Sequence, residues 1–594
     1  MPSRSRYQAI VLAVAAIVFL GCMVSPPSLM DDVDAVQGQI ARNMLDSGDW
    51  VTPHLNGIAY MEKAPLKYWM MAAAFQVFGV HDWASRIPVS GSAVILCWLV
   101  FLIGRWAFSE LAGAYAGTAL ATCIGLFLFT RFQIPDAILT TTITLAMWAF
   151  LRALDEKETR PGLWGTVMFA AIGTGLLIKG LIAAVFPVAA AVLFLIFTGD
   201  WRKRETWQRL RVVRGVLLAL AIAAPWHIIA TLRNPPFFDF TMDSGPGKYR
   251  GFFWFYFFNE HILRFMNLRY PRDYNTVSRP LFWGFHLLWL FPWSVYFPAV
   301  AKLSFKPAAD RASRTRLLCL CWTGFLLTFF TFSSTQEYYS MPCYPALALL
   351  LGAALTEPRA AAWVRRGQVA LAAIAALAAI AIALVLGQVW NLPAPGDISR
   401  ALATQQVDAY TLSLGHMGDL TIQAFAYLRV PLMLAGLAFV IGAVASWRRY
   451  VAGAVVMMVL FVHAARLALV AFDPYLTSEP LAEALDNAPH GKLILDNQYY
   501  TFSSVVFYAE DYHGERVLLL NGRVNNLEYG SNAPNAPQDV FIDDQEFRSL
   551  WQSGELYYIC VEGPSVGRLE ELVGKAALHQ VAASGGKFVF ANRG

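Results

Sequence analysis

The sequence predicts a polytopic α-helical membrane protein with a small α/β domain at its C-terminus. Hydrophobic residues make up 57% of the 594 residues and charged residues only 15%, whereas soluble domains carry about 25% charged residues. Many stretches stay apolar for about 18 residues or more, which is long enough for a helix to cross a bilayer. After residue 473 the composition turns polar and no such stretch follows.

The apolar stretches predict thirteen membrane-spanning helices. Lys179 and Gly180 form the only break between the fifth and the sixth. The predicted spans are residues 8–25, 86–108, 111–131, 137–154, 163–180, 181–198, 212–232, 281–303, 317–334, 340–356, 368–390, 429–447 and 450–472.

Basic residues in alternate short loops predict the orientation of these spans. If the N-terminus is cytoplasmic, every cytoplasmic loop carries Lys or Arg, for example at Arg202, Lys203 and Arg204, as the positive-inside rule requires. An odd number of spans then places the C-terminus outside the cytoplasm. The net charge of +5 comes mostly from these loops and does not indicate nucleic-acid binding.

The first apolar stretch is compatible with three interpretations. Arg4 and Arg6 precede it, as they would precede a signal peptide or a first span. We favour an uncleaved span, because no small-residue cleavage site follows the stretch. A lipoprotein-type step at Gly21–Cys22 is the third alternative. The seven cysteines show no CxxC or Cys/His spacing, so they predict neither a disulfide framework nor a metal centre.

We predict two domains. Residues 1–472 form a membrane domain with outer loops 26–85 and 233–280, and residues 473–594 form an outer α/β domain. The second domain shows no nucleophile elbow, phosphate loop or metal motif, which favours packing or acceptor recognition over a second active site. Its predicted strands are Lys492–Asp496, Arg516–Leu520, Leu556–Val561 and Lys587–Ala591, and its predicted helices are Ser478–Asn487 with Ser478 as N-cap, Asp544–Gln552 and Val566–Val573.

Three aspartates between the first span and the next are candidate catalytic carboxylates. Asp31, Asp32 and Asp34 lie within a few residues of the membrane surface, where charged groups are costly and usually functional. They also precede the sequence IARNML, which predicts a helix, and acids are favoured at a helix N-terminus for structural reasons alone. Capping therefore stands beside catalysis as an interpretation.

A second candidate site follows the third span. Arg131 and Asp136 are predicted at its outer mouth, with Pro135 opening the next helix. Two interpretations explain an aspartate at this position equally well: an acid favoured at the start of a helix, and a functional carboxylate. Lys179 is a lysine at the outer end of a span, where it either extends to the interface or binds an anion such as a lipid phosphate.

The long outer loop 233–280 holds a further group of polar residues within an aromatic segment. Glu260, His261 and Arg264 fall on about one helical turn. His beside Glu is compatible with a metal ligand, an acid or base, or an interfacial hydrogen bond.

Taken in order, these segments carry a resemblance that covers nearly the whole chain. The chain resembles the bacterial lipid A aminoarabinose transferases, which are grouped with the protein O-mannosyltransferase-like membrane glycosyltransferases of GT-C architecture (glycosyltransferase family 39/83 type). The matching segments are the acidic first loop followed by IARNMLDSGDWVTPHLNG, then EKAPLKYW, TRF with Asp136, IKG at Lys179, NEHILRF and EYYSMPCYPALALL.

The resemblance implies an inverting glycosyltransferase of the bacterial inner membrane that moves a sugar from a polyprenyl phosphate to an outer-face acceptor, which is a lipid A-like molecule, a glycan or a protein. It also implies roles for individual residues. These are Asp32 or Asp34 as the catalytic carboxylate with Asp136 as acidic partner, Lys63, Lys179 and Arg131 at the lipid phosphate, Glu62 and His261 as a divalent-metal or structural pair, and Glu260, Arg264, Tyr338 and Tyr339 as further site residues.

Three departures from the family pattern bear on these expectations. The family has Asp-Glu followed two residues later by Arg, whereas this chain has Val33-Asp34 and Val36. Because Asp34 lies nearer the family's acidic pair, we expect it to be catalytic rather than Asp32. The family's Lys-rich segment before its Tyr-Tyr motif is SSTQEYY here. The donor sugar and the acceptor are therefore not implied.

A transporter or lipid flippase is the competing functional class, since such proteins also have many spans and buried charges. Transport sites lie near the bilayer midplane, whereas the ionisable residues of this chain gather in outer loops. A purely structural protein is a third interpretation, and it leaves the acidic first loop unexplained.

Overall fold

The computed structural model describes residues 6–24, 27–272, 277–333, 335–402 and 420–594, apart from the side chains of residues 525 and 526. Helices dominate the chain up to residue 476. In order they are α1 (Arg6–Ala15), α2 (Asp34–Ser47), α3 (Leu66–Phe78), α4 (Asp82–Ala107), α5 (Glu110–Ala121), α6 (Ile124–Phe129), α7 (Asp136–Leu154), α8 (Pro161–Lys179), α9 (Ile182–Thr198), α10 (Arg204–Leu210), α11 (Val212–Arg233), α12 (Gly251–Phe253), α13 (Arg279–Trp289), α14 (Phe297–Val300), α15 (Arg311–Phe332), α16 (Tyr344–Thr356), α17 (Ala361–Val389), α18 (Arg429–Trp447) and α19 (Ala452–Leu476).

Within the described residues, nine helical segments are long and apolar enough to cross a membrane. The apolar helices Arg6–Leu20 and Ile182–Thr198 are shorter. The nine segments are Asp82–Ala107, Asp136–Leu154, Pro161–Lys179, Arg204–Arg233, Arg311–Phe332, Glu337–Thr356, Pro358–Val389, Arg429–Trp447 and Ala452–Leu476. The chain is thus a multi-pass helical membrane protein, and the number thirteen stays a prediction.

Two predicted spans are not continuous helices. The span 111–131 divides into α5 and α6, and the span 281–303 divides at Pro292, which has no N–H to donate to a helical carbonyl. A hydrogen bond joins the two breaks, since Ile124 N donates to Phe291 O at 3.3 Å. Each break therefore finds hydrogen-bond partners outside its own helix.

The C-terminal part is a six-stranded mixed sheet with helices. The strand order is β5-β4-β3-β6-β8-β7, with β3, β4, β5 and β6 parallel and β8 antiparallel to β6 and β7. After the hairpin formed by β1 (His54–Leu55) and β2 (Ile58–Ala59), the strands are β3 (Lys492–Asp496), β4 (Leu518–Leu520), β5 (Phe541–Ile542), β6 (Tyr557–Glu562), β7 (His579–Ser584) and β8 (Lys587–Ala591). The helices are α20 (Glu479–Asp486), α21 (Ser503–Tyr508), α22 (Asn525–Ser531), α23 (Asp544–Trp551) and α24 (Val566–Val573).

The predicted small α/β domain is present, but β5, β7, α21 and α22 were not predicted from the sequence. Two predicted features also differ locally. The strand expected at Arg516–Leu520 begins only at Leu518. Ser478 precedes α20, but its hydroxyl makes no capping hydrogen bond and donates instead to Asp31 Oδ2 at 2.6 Å. A hydrogen bond to a carboxylate is charge-assisted and stronger than one between neutral groups.

Asp31 joins this sheet domain to the membrane part. Ser504 N donates to Asp31 Oδ1 at 2.7 Å, and Lys587 Nζ lies 2.6 Å from Asp31 Oδ2. Tyr529 from α22 adds a second connection, since its hydroxyl donates to Gly251 O at 2.9 Å. The sheet domain is thereby fixed against the end of the bundle where α2 begins.

Candidate active site

An apolar cavity of about 430 Å³ lies at this end of the bundle. Hydrophobic side chains from α9, α15 and the π-helical segment Trp254–Leu263 with the residues after it line most of it. Several of them are also exposed. These residues are Leu181, Val185, Ile262, Phe265 and Met266.

A smaller polar cavity of about 130 Å³ lies beside it. It is lined by residues of the first loop, of the turn before α7 and of the segment 269–272, and by Tyr500 of the sheet domain. Basic side chains outnumber acidic ones in its lining. The basic residues are Lys63, Lys67, Lys179, Arg264, Arg269 and Arg272, and the acidic residues are Asp32, Glu62 and Asp136.

Charged residues form the junction of the two cavities. Glu62, Lys63, Asp136, Lys179 and Arg264 line both. An amphipathic ligand with a long apolar tail and an anionic head could place the tail in the larger cavity and the head at these cations.

Asp136 and Lys179 are a buried ion pair within this junction. Lys179 Nζ lies 2.7 Å from Asp136 Oδ1 and 2.7 Å from Oδ2. The rings of Tyr338 and Tyr339 each lie 5.2 Å from the same nitrogen, within cation–π distance. Asp136 begins α7 and Lys179 ends α8, so the pair joins adjacent ends of two helices.

Glu62 is the centre of a second charged group. Lys63 Nζ lies 2.5 Å from Glu62 Oε1, the Tyr60 hydroxyl donates to Oε2 at 2.8 Å, and Arg264 and Arg269 each approach Oε1 to 3.9 Å. Burial by itself raises the pKa of Glu62, but the charges of Lys63, Arg269 and Arg264 outweigh burial and hold that pKa well below its usual range. Glu62 is therefore a carboxylate that orients cations.

Glu260 completes this group from the π-helical segment. It lies 2.9 Å from Arg264 Nη1 and 2.5 Å from Arg269 Nε. The expected grouping of Glu260 with Arg264 on one helical turn is present, and its effect is to fix both guanidinium groups beside Glu62.

The three aspartates of the first loop lie in different surroundings. Asp31 faces the sheet domain, as described above. Asp32 lines the polar cavity, and its backbone takes the left-handed conformation with φ of 72° while Asp32 N donates to Tyr500 O at 2.8 Å. Asp tolerates this conformation better than most residues.

Asp34 is fully buried and lines neither cavity. Its Oδ1 accepts a hydrogen bond from Gln133 N at 2.8 Å. Burial raises the pKa of Asp34 to about 6. Of these two aspartates, only Asp32 lines a cavity, whereas the sequence led us to expect the catalytic role at Asp34.

His261 gives the expectation of a metal ion no support. Its Nδ1 lies 2.5 Å from Tyr256 O, and its Nε2 accepts from Leu181 N at 3.1 Å, so both ring nitrogens already bind the backbone. Burial lowers the pKa of His261 to about 4, which leaves the imidazole neutral. In the described parts of the chain, no three His, Cys, Asp or Glu side chains lie close enough together to hold a metal.

Arg131 lies away from both cavities. It is 4% exposed, donates from Nη1 to Cys22 O, and sits over the ring of Phe127. Its position gives a role at the lipid phosphate no support, since a contact with the ligand requires access to the cavity.

Lys67, Arg269 and Tyr500 line the polar cavity but are not among the residues expected from the sequence. The sequence gives a weak indication for Lys67, because this residue follows Lys63 by four positions in EKAPLKYW, just inside α3. The sequence gives no indication for Arg269 or Tyr500, since each reaches the cavity from a segment far along the chain.

Comparisons with known proteins bear on the identity of this fold. Residues 62–229 match the family model described as dolichyl-phosphate-mannose-protein mannosyltransferase. The chain is 31% identical over 326 residues to undecaprenyl phosphate-alpha-4-amino-4-deoxy-L-arabinose arabinosyl transferase 1 of Pseudomonas fluorescens, which covers 53% of this chain and 52% of that protein. The chain is also 28% identical over 388 residues to the undecaprenyl phosphate-alpha-4-amino-4-deoxy-L-arabinose arabinosyl transferase of Aeromonas salmonicida. This match covers 60% of this chain and 65% of that protein. The chain thus spans about half to two thirds of these relatives.

The crystal structure of ArnT from Cupriavidus metallidurans bound to undecaprenyl phosphate is similar over almost the whole chain. The TM-score is 0.76 at 22% identity, with 99% of this chain and 97% of that chain covered. The chain has the fold of ArnT. The apo form of ArnT gives a TM-score of 0.75. This similarity confirms the fold class predicted from the sequence. The family model and the relatives confirm the resemblance to these transferases.

Proposed function

We propose that the protein is a membrane glycosyltransferase that takes a sugar from a polyprenyl-phosphate donor and transfers it to an acceptor. One observation carries the proposal: a mostly apolar cavity meets a polar cavity at a group of cations that includes Lys63, Lys179 and Arg264. A polyprenyl phosphate has the same division into an apolar chain and an anionic head. The Cupriavidus ArnT structure was determined with undecaprenyl phosphate, and the relatives are named as transferases that use it.

In this proposal the donor lipid occupies the apolar cavity. Leu181, just before α9, Val185 of α9 and Phe265 are exposed residues of its lining, where an isoprenoid chain would pass between the protein and the bilayer. Apolar burial favours this placement by about 25 cal/mol for each Å² of chain removed from water.

The phosphate then lies at the junction of the cavities. Lys63, Lys179 and Arg264 supply charge-assisted hydrogen-bond donors there, and these stabilise the negative charge that grows on the phosphate when the sugar leaves. Asp136 and Glu62 hold these cations in place. Tyr338 and Tyr339 limit the positions available to the Lys179 ammonium group.

Asp32 is the proposed catalytic base. An acceptor oxygen attacks the anomeric carbon of the sugar, the bond from that carbon to the phosphate oxygen breaks, and the phosphate leaves with the electron pair. Asp32 takes the proton of the acceptor oxygen, which it can do because it lines the polar cavity. A single displacement inverts the configuration at the anomeric carbon. No metal ion enters this mechanism.

The proposal includes an arrangement in the bacterial inner membrane. The N-terminus is cytoplasmic, and the site and the sheet domain both lie on the outer side. The division into a membrane domain at 1–472 and an outer domain at 473–594 also belongs to the proposal. Contacts of Asp31 and Tyr500 with the two parts support a common side for the site and the sheet domain.

The test uses the purified full-length protein and radiolabelled polyprenyl-phosphate sugars. Transfer to lipid, glycan or protein acceptors, or slow release of the sugar to water, supports a glycosyltransferase. Movement of the lipid between leaflets of vesicles without cleavage of the sugar–phosphate bond would instead favour a flippase. The variant Asp32→Asn serves as the inactive control for bond cleavage.

A further inference from the structure

The sheet domain presents the carboxyl end of β3 to the polar cavity. β3 ends at Asp496, the 3₁₀ turn Tyr499–Phe502 follows it, and Tyr500 of this turn lines the cavity. The chain passes from β3 to β4 and β5 on one side of β3 and then to β6 on its other side, and these four strands are parallel. In open parallel sheets, ligands bind outside the carboxyl ends of the strands at such a change of direction.

Hydrogen bonds fix this end of the sheet against the first loop. Asp32 N donates to Tyr500 O at 2.8 Å. Lys587, the first residue of β8, donates from Nζ to Thr501 O at 2.9 Å and lies 2.6 Å from Asp31 Oδ2. Tyr500 and the proposed base Asp32 are therefore joined through their main chains, although they belong to different domains.

The polar cavity has a part that it shares with the apolar cavity and a part of its own. The shared residues include Lys63 and Lys179, where the proposed function places the donor phosphate. Asp32, Tyr60 and Tyr500 line the polar cavity but not the apolar one. The donor lipid and its phosphate therefore leave this second part for the reacting sugar and the other substrate.

The direction of attack places the acceptor next to Asp32. In a single displacement, the acceptor oxygen approaches the anomeric carbon from the side opposite to the leaving phosphate, and the base lies within hydrogen-bond reach of that oxygen. A group that brings an oxygen to Asp32 also meets Tyr500, because both residues line one small cavity of about 130 Å³.

Tyr500 has the chemistry of a ligand-binding side chain at this place. It is 7% exposed, and its turn belongs to the hydrophobic core of the sheet domain. A tyrosine offers an apolar ring for contact and a hydroxyl for a hydrogen bond. A side chain held in this way can contact a ligand with little loss of conformational freedom.

We infer that Tyr500 is a binding residue for the acceptor and that the sheet domain forms one wall of the acceptor subsite. This inference rests on the proposed function. Asp32 takes the proton of the acceptor oxygen, and Tyr500 holds the group that carries this oxygen. The bonds that form and break are those of the proposed transfer, so no further reactant is needed.

The test separates acceptor binding from bond cleavage in the purified full-length protein. Transfer of a radiolabelled sugar from its polyprenyl phosphate is measured at varied concentrations of lipid A, a glycan or a protein as acceptor. Release of the sugar to water is measured without acceptor, and binding of undecaprenyl phosphate is measured alone. Tyr500→Leu should raise the KM for the acceptor about tenfold or more, while water release and binding of undecaprenyl phosphate stay nearly unchanged.

Two further variants complete the series. Tyr500→Phe removes only the hydroxyl and should raise the KM for the acceptor about threefold, because one hydrogen bond is lost. Tyr499→Phe removes the hydroxyl of the neighbouring tyrosine, which is buried and lines neither cavity, so this matched control should change nothing. If Tyr500→Leu does not fold, Tyr500→Phe decides the question by itself.

A purely structural role of Tyr500 would give a different result. An unchanged KM for the acceptor in folded Tyr500→Leu and Tyr500→Phe proteins would overturn the inference. Equal losses of transfer and of water release, with that KM unchanged, would show that Tyr500 only supports Asp32, and would overturn it as well.

Other outcomes separate this inference from the proposed function. If the sugar is released to water but passes to none of the three acceptors, the inference fails while the cleavage of the sugar–phosphate bond remains. If no polyprenyl-phosphate sugar is cleaved at all, the proposed function fails, and the inference with it.

Discussion

Lys179 Nζ is equidistant, at 2.7 Å, from the two carboxylate oxygens of Asp136. The side chains are 13% and 3% exposed, and they lie at the last residue of α8 and the first residue of α7. The desolvation of two buried charges is offset only while both partners are present. Asp136 therefore acts first as the residue that holds Lys179 at the junction of the two cavities.

Removal of one partner should destabilise the protein more than removal of both. Asp136→Asn leaves a buried lysine without its counter-charge, at a cost of about 3–5 kcal/mol. Asp136→Asn combined with Lys179→Met should recover much of that loss. Thermal unfolding in detergent measures both effects. Additive losses in the double variant would show that the two residues are not coupled.

Lys63→Ala and Lys179→Ala should each weaken binding of polyprenyl phosphate. A lost charge-assisted hydrogen bond costs on the order of 1.5–3 kcal/mol, which is about tenfold or more in affinity. Lys492→Ala, in the sheet domain, should bind like the unchanged protein. Full affinity in both cavity variants would exclude these lysines from the phosphate site.

The first-loop aspartates should separate by function. Asp32→Asn should lower turnover about 100-fold or more with the protein still folded, because a base in the polar cavity is lost. Asp31→Asn should mainly lower stability, because it removes the ion pair with Lys587. Transfer assays with monodisperse proteins check both. Near-normal turnover of Asp32→Asn, with loss in Asp34→Asn, would restore the order expected from the sequence.

Asp34 should make stability depend on pH. Its pKa is raised from its ordinary value of 3.8 to about 6 by burial, so the folded state holds this proton more tightly than the unfolded state does. Its contribution to stability is present below pH about 4 and is lost as the pH rises through about 6.

Asp34→Asn should remove this dependence, since the amide keeps an oxygen for Gln133 N and cannot ionise. Unfolding midpoints measured between pH 4 and 7 give the slope. Glu571→Gln, at an exposed position of α24, is the control. An unchanged slope in Asp34→Asn would show that another group carries the titration.

A reporter fused after Gly594 should be active only outside the cytoplasm. The expected reason is the alternation of basic loops along the chain. A second fusion in the loop containing Arg202 should report the cytoplasmic side. Cytoplasmic activity at Gly594 would mean that the number of spans differs from thirteen by an odd number.

The local properties of the chain were sufficient to predict many of its elements, although not β5, β7, α21 or α22. Hydropathy and strand patterns depend on neighbouring residues, so the helix α7 after Pro135 and the strands Lys492–Asp496 and Lys587–Ala591 were predicted at or close to their observed bounds. Where the prediction differs, as at Pro292, a residue without an N–H divides an apolar stretch that composition alone treats as one helix.

The composition of the site was partly predictable as well. Asp32, Lys63, Asp136 and Lys179 were expected near one another, because each follows or precedes a span on the same predicted side. All four line the polar cavity. Their grouping needed only the order of spans and loops.

Only the tertiary structure decided what each side chain does there. Asp31, Asp32 and Asp34 are nearly adjacent in sequence, yet one binds the sheet domain, one lines the cavity and one is buried. The physical reason is that accessibility and charge partners depend on contacts over long sequence separations. Lys587 reaches Asp31 and Gln133 reaches Asp34 from far along the chain, and no pattern within the first loop records either contact.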